Sequence, residues 1–486
     1  MKKSSGTVSY KGWILSFMTA GLLLLLFSWS TSPLYLTYGC DSPFFQIIGL
    51  GITQGKIPYV DLFDHKGPVP FFMNALGYSL GLGRSGLFIV QVLWMTVTLK
   101  LMYMTVSLFV SNSRQRFSAM ALTMLPLIDF ITEGNQVEEW QLPFIALTLF
   151  LLCRYMLSDQ PQHPVWQSLV YGLCFGMVFY NRPNDGVMWI GALFFGLFLR
   201  WIVKKRYSEI AGNVIAFIGG FFIITVPILA YFAVHDAVDD MIFGMIIHNI
   251  RYAGGALFTW GGIGMILIPA LFIAVTLVLE WKEGNRDFGY VLIPVLVFVV
   301  ILIGKRDYYH YLIPFIPFIA ICIALCLKHS WKKFLWTVCI LFAIFSYREL
   351  TFMSKAFSLR PTLKELYSQT DSLFDCVPEE YRNQIWNYNL DVLHEGDSPR
   401  VMSLMSVFLH KGITPSSPVL AAYDIESLSD RFDFSLYKPE WLIMNPDDWY
   451  NKDFDYIYRN YVLVAAMPAG AECGLRIYKR KDYGEH

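Results

Sequence analysis

The reactive side chains of this chain gather in a few short polar stretches between long apolar runs. "YGCDSPFF" holds Asp41. "PYVDLFDHKGPVP" sets Tyr59, Asp61, Asp64, His65 and Lys66 ahead of a Gly-Pro turn. "EGNQVEEW" pairs Glu138 with Glu139. Cations follow in "YNRPNDG" (Arg182), "IIHNIRYAGG" (Arg251) and "GKRDYYHY" (Lys305, Arg306 and His310). Asp41, held near a membrane surface, loses solvation, and its proton affinity rises toward that of a useful base. The competing assignment is a helix cap, since Asp-Ser-Pro is a good start for the "PFFQIIG" helix. Lys66 beside acids just above lipid can anchor a phosphate. Its alternative is a solvated turn punctuated by Asp and Gly-Pro, with Asp61 and Asp64 ordering the loop. Glu138 and Glu139 repel each other, so one keeps a proton; alternatively they complement the dipole of the helix that follows.

Apolar runs must position these groups. The chain of 486 residues is 55% hydrophobic and 16% charged, with a mean hydropathy of +0.45. Soluble chains carry about 25% charge, so this is a membrane composition. Windows near 20 residues place spans at 12–31, 87–110, 117–132, 140–157, 166–180, 186–203, 211–234, 262–281, 288–304, 311–327 and 334–347. The first follows Lys2, Lys3 and Lys11 and lacks a small-residue cleavage site, so it reads as a retained span. Lysine and arginine in alternate short loops put the N-terminus in the cytoplasm. The polar stretches then all fall outside, where single cations read as solvated loop charges. Together they break the charge asymmetry and point to an anionic ligand.

Two apolar segments of the first outside loop, 43–53 and 68–80, are too short to span and read as helices at the interface or re-entering it. From residue 348 the composition turns polar. Strand-like pieces ("NQIWNYNL", "EWLIMN", "YVLVAAM", "GLRIYKR") alternate with helix-like ones ("LKELYSQTDSLF", "SLMSVFLHKG"). The expected organisation is a transmembrane domain over 1–347 and a small extracytoplasmic α/β domain over 348–486.

Formal net charge is zero, and no nucleic-acid motif occurs, so a nucleic-acid partner is not expected. The nucleophile-elbow, phosphate-loop and zinc-protease signatures of soluble enzymes do not occur. Of eight cysteines, most lie in apolar runs; Cys376 and Cys473 fall in the tail and can pair if it is extracytoplasmic.

The stretch "YGCDSPFFQIIGLGITQGKIPYVDLFDHKGPVPFFMNALG" resembles the first outside loop of GT-C glycosyltransferases, among them bacterial protein O-mannosyltransferases and lipid A aminoarabinose transferases. Their pattern runs from an acid after the first span, through an amphipathic helix, to G-x-x-P-Y-x-D and a K-x-P turn. Here these are Asp41, then Gly55, Pro58, Tyr59 and Asp61, then Lys66 and Pro68. "GNQVEEWQLPF", "NRPN" and "YYHYLIPFIPF" look like later family features. Relatives often carry a second acid after the first, or a glutamate before the lysine. Ser42 and His65 stand there instead, which leaves metal dependence and sugar identity open; a divalent metal is one option.

The resemblance implies a GT-C-like polytopic helical protein of about eleven spans in the cell membrane. It implies an inverting transferase that takes a hexosyl or pentosyl group from a polyprenyl-phosphate carrier in the bilayer. The sugar passes to an extracytoplasmic lipid, glycan or protein. Asp41 would be the base. Lys66, with Tyr59, Arg182, Arg306 and His310, would hold the donor, and Glu138 or Glu139 would orient a substrate. The rival readings are a transporter or lipid-linked-sugar flippase, and a scaffold that binds through its tail. The first expects repeat symmetry and charged spans. Only Lys100 and Asp129 come near that.

Overall fold

A computed structural model describes residues 10–39, 41–131, 133–158, 160, 162–253, 260–303, 308–358, 360–387, 392–393, 402–416, 439–444, 454–467 and 475–481. The protein is a polytopic helical membrane protein with a small C-terminal sheet. Each apolar run expected to span is helical: α1 (Tyr10–Phe27), α4 (Arg84–Phe109), α5 (Ser113–Ile131), α6 (Leu142–Met156), α7 (Val165–Phe179), and then Pro183–Val203, Tyr207–Val234, Trp260–Lys282, Phe288–Ile303, Ile316–Lys328 and Lys332–Ser358. Six helices among the described residues are long and apolar enough to cross a bilayer. Left-handed residues Lys205 (φ 55°) and Ser330 (φ 60°) sit in the turns after two of the helices, the usual way a helix is stopped.

The chain divides into two compact units. The first comprises Met1–Ser28, Phe88–Ala230 and Ala253–Thr351. Its most enclosed element is Ile316–Lys328, buried from Ile316 through Cys326 and packed on α5, α6 and Trp260–Lys282. A helix apolar on every face belongs at the centre of a bundle. Helices Pro183–Val203 and Phe288–Ile303 approach closely at Gly196, where an added Cβ would stand 2.3 Å from the Tyr290 carbonyl oxygen.

The second unit comprises Trp29–Leu87, Tyr231–Tyr252 and Phe352–His486, so the first loop and the tail belong to one body. Two loop helices, α2 (Ser42–Thr53) and α3 (Pro68–Ser79), each begin with proline in the first turn. They cross at Gly49, whose Cβ would lie 2.5 Å from Asn74 Cβ. Buried Gln46, the polar interruption in α2, donates to the Ser30 carbonyl (3.2 Å) and Ser42 Oγ (2.9 Å), and accepts from the Tyr78 hydroxyl (2.9 Å). It fastens the loop to itself, as a buried amide must.

In the tail, β1 (Trp386–Asn387), β4 (Trp441–Met444), β6 (Arg476–Arg480) and β5 (Tyr461–Ala466) form one sheet in the order β1-β4-β6-β5. β1 runs parallel to β4, and the other pairings are antiparallel. β2 (Val392–Leu393) pairs with β3 (Met402–Ser403). The described helices of the tail are Arg360–Phe374, Leu404–Lys411 and Phe454–Asn460, with a 3₁₀ segment at Glu379–Gln384. Lys56 joins loop to tail: its amine donates to the carbonyls of Asn383 (2.7 Å) and Thr414 (2.5 Å).

Candidate functional site

Within the second unit, the turn between Pro58 and Gly67 is held by its own polar groups. Tyr59 adopts φ 70° and is fully enclosed, against Phe71 and Phe232, with its hydroxyl donating to the Lys66 carbonyl (2.7 Å). A bulky residue in the left-handed region is strained and persists only where packing enforces it. Tyr59, expected to contact substrate, is therefore an internal strut beneath Lys66. Asp61 accepts the Ile57 N–H (2.7 Å), and Asp64 accepts the Lys66 N–H (2.9 Å). Both close short turns.

Lys66 Nζ lies 2.6 Å from His65 Nε2, and Asp64 Oδ1 lies 3.9 Å from His65 Nδ1. Asp64, His65 and Lys66 are all partly exposed. Burial lifts the Asp64 carboxyl above the usual carboxylate range. The Lys66 charge and N–H pull it back, and the charge of Asp41 adds to the rise. Asp41 thus stands within electrostatic reach of the Asp64–Lys66 pair. It is exposed at the N-terminus of α2 and its side chain makes no capping hydrogen bond to the helix. Asp41 thus takes the N-cap position of α2, as the cap assignment expected, without a side-chain capping bond.

Two residues that the sequence reading did not single out support this turn. The His248 ring stacks on His65 (5.4 Å between centroids), and Asn249 Nδ2 donates to the His65 carbonyl (2.6 Å). They follow a π-helical stretch, Phe243–Ile247, a form common at functional sites. The signal available was the polar pair "HN" in an apolar setting.

The first unit holds a separate cluster. Arg182 Nη1 lies 2.7 Å from Glu138 Oε1 and 3.6 Å from Asp185 Oδ2, and its guanidinium stacks over Tyr311 (3.7 Å). Gln141 donates to Asp185 (2.8 Å). Burial works against the Arg182 charge, but Asp185, Tyr311 and Glu138 hold its pKa above the ordinary value. Arg182, expected to hold an anion, is already matched by two carboxylates. Glu139 takes the capping-box position over Val137–Gln141, accepting the Gln136 N–H (2.8 Å) and Gln91 Nε2 (2.8 Å). Burial pushes the Glu139 carboxyl up to about 7; those two hydrogen bonds oppose the rise and the Glu138 charge adds to it. Within the acid pair, desolvation outweighs the repulsion from Glu138 in raising Glu139. Asp185 and Gln91 belong to this network; their signals were the i,i+3 spacing from Arg182 and a lone glutamine in an apolar run.

His310 stacks on Tyr308 (5.6 Å) and packs against Tyr311 (4.7 Å) at the start of a 3₁₀ segment, Tyr309–Phe315. Arg306, Lys305 and Cys473 lie outside the described residues, so neither the "GKRD" cations nor a Cys376–Cys473 pairing can be placed; Cys376 Sγ donates to the Leu373 carbonyl. Among the described residues no group of three or more His, Cys, Asp or Glu gathers to hold a metal ion.

Residues 65–231 match the family model for dolichyl-phosphate-mannose-protein mannosyltransferase. The match begins at the His65-Lys66 turn and runs through both acidic and cationic loops of the first unit. The fold is similar to that of ArnT from Cupriavidus metallidurans, solved bound to undecaprenyl phosphate, with a TM-score of 0.60 at 14% identity; the alignment covers 97% of this chain and 98% of that one. No curated protein matches the chain in sequence. The GT-C resemblance seen in the first loop is thus borne out by a family model and by a whole-length likeness of fold.

Proposed function

We propose that the protein is an integral-membrane inverting glycosyltransferase. It moves a hexosyl or pentosyl group from a polyprenyl-phosphate carrier to an extracytoplasmic lipid, glycan or protein. The match of residues 65–231 to the mannosyltransferase model carries this reading. Supporting it, one compact unit sets an exposed carboxylate, Asp41, within electrostatic reach of Asp64 beside the Lys66 amine. In this mechanism Asp41 removes the proton from the acceptor hydroxyl as its oxygen attacks the anomeric carbon. The sugar–phosphate bond breaks, and the lipid phosphate leaves with the electron pair. Lys66 neutralises the charge that develops there. His65, whose imidazole nitrogen meets the Lys66 amine, orients that cation. Glu138 and Glu139 anchor the polar network of the second acidic loop and orient a substrate. The N-terminus is cytoplasmic, and the tail from 348 lies on the extracytoplasmic side, where it shapes access to the acceptor.

The test is sugar transfer by the Asp41→Asn protein from a radiolabelled polyprenyl-phosphate sugar to membrane acceptors. General-base catalysis is typically worth about 10² to 10⁴ in rate, and a loss of that order is expected in a folded variant. Unchanged transfer would remove Asp41 from the base role. No transfer by the wild type with any polyprenyl-phosphate sugar would remove the reading itself.

A further inference from the structure

The first unit contains a second feature with chemistry of its own. Helices α1, α4 and α5 line a groove of about 580 Å³. It lies toward the N-terminal ends of α1 and α5 and the C-terminal half of α4. Its apolar lining includes Leu15, Phe117, Met120 and Met124, while Lys11 and Lys100 supply cations.

Lys100 is the unusual group. It sits within an apolar helix, is only 9% exposed, and lines the groove. No carboxylate among the described residues pairs with it. Instead its amine faces two aromatic rings, Trp13 at 5.8 Å and Tyr103 at 5.7 Å. A Cβ added to Gly12 would stand 2.8 Å from Lys100 Nζ. The long side chain therefore runs to the first turn of α1, beside Lys11, as a lysine does when it reaches toward an interface. Outside the groove lining, the Arg116 guanidinium lies 5.9 Å from the same Tyr103 ring. The acid of α5, Asp129, is at the far end of that helix, where Ser346 Oγ donates to it (2.8 Å). An enclosed cation is costly unless an anion answers it, and none of the described residues supplies one.

We propose that this groove binds an anionic phospholipid. Its phosphate lies between Lys11 and Lys100, and an acyl chain follows Leu15, Phe117, Met120 and Met124. Two ammonium groups above an apolar trough match an anionic amphiphile and not a neutral one. Basic pockets between helices on the cytoplasmic side hold anionic headgroups in this way, and the lysine-rich end of α1 is that side by the charge rule. The proposal rests on groove and charge alone and does not depend on sugar transfer.

The experiment reconstitutes the full chain in nanodiscs of mixed phosphatidylglycerol and phosphatidylcholine, then counts retained lipids by native mass spectrometry. The wild type should retain phosphatidylglycerol over phosphatidylcholine by about tenfold, the factor for 1.4 kcal/mol. Lys100→Gln and Lys11→Gln should each cut that preference by more than half. Ala121→Trp, which fills the groove and keeps both charges, should release the lipid. Absence of a preference in the wild type, or an unaltered preference in folded Lys11→Gln and Ala121→Trp proteins, overturns the proposal. Full displacement by glycerol phosphate would also overturn it, because a soluble phosphate would then be the occupant.

Discussion

The Arg182 guanidinium reaches Glu138 across 44 residues of sequence, with Nη1 2.7 Å from Oε1. Glu138 is 1% exposed, so the carboxylate has little water to replace its partner. Removing one member of a buried pair costs about 3–5 kcal/mol; since the Arg182 side chain is 19% exposed, the lower end applies. Arg182→Gln and Glu138→Gln should each lower the thermal midpoint in detergent. The double variant should lose less than their sum. Additive losses would mean that the two side chains do not stabilise each other.

Glu139 makes stability depend on pH. Its folded pKa of about 7 lies above the ordinary 4.5 because burial favours the neutral acid. A raised pKa means that the folded chain holds a proton the unfolded chain has lost. The stabilisation is full below about 4.5 and disappears as pH rises through 7. Measured against Glu139→Gln, the wild type should be relatively more stable at pH 5 than at pH 8. A difference that stays flat between those values would show that Glu139 is ionised throughout.

The elements were readable in the residues, and the contacts between loops were not. An apolar run of about 20 residues has few fates in a membrane, and each expected span is helical, including the short one at 166–180. Short apolar runs bounded by polar residues marked the tail strands: "EWLIMN" contains β4 and "YVLVAAM" contains β5. Asp41, Lys66 and the glutamate pair stood out because charge is scarce. Nothing in span length says which loops meet, so the Glu138 partner of Arg182 was hidden, and Arg182 passed for a free cation. Tyr59 misled for a related reason. Its place in a polar turn implied exposure, but φ 70° turns the ring inward, and Gly244 leaves room for it: a Cβ there would meet Tyr59 Cδ1 at 2.6 Å.

Lys66 should matter more to turnover than to folding. It is partly exposed, and its amine contacts only the adjacent His65 ring in the described structure. Its backbone N–H, which closes the turn on Asp64, survives substitution. Lys66→Met should therefore leave the thermal midpoint nearly unchanged and lower kcat by about 10² to 10³, the scale for losing one preorganised donor to a developing oxyanion. Lys66→Arg should recover part of the rate, since it keeps the charge but alters the geometry. A large fall in midpoint for the methionine variant would make Lys66 a structural residue.

Lys56 couples the first loop to the tail, and its protonation can be read independently of catalysis. Burial pulls its amine down to about 8 from 10.5, against the opposing charge of Asp61. Between those values the unfolded chain binds a proton that the folded chain does not. Stability contributed by this group therefore rises as pH climbs from about 8 toward 10.5, and the cost of a charged, enclosed amine is fully present below that window. Either form of the amine can donate to the Asn383 and Thr414 carbonyls. Replacing it with methionine leaves both acceptors to find other partners, at about 1–3 kcal/mol for each one left enclosed. The wild type should thus exceed Lys56→Met in thermal midpoint at pH 7.5, by a margin that widens at pH 10. Limited proteolysis of the variant at neutral pH should open the tail first. A margin that narrows with pH would mean that the Lys56 amine keeps its charge in the folded protein.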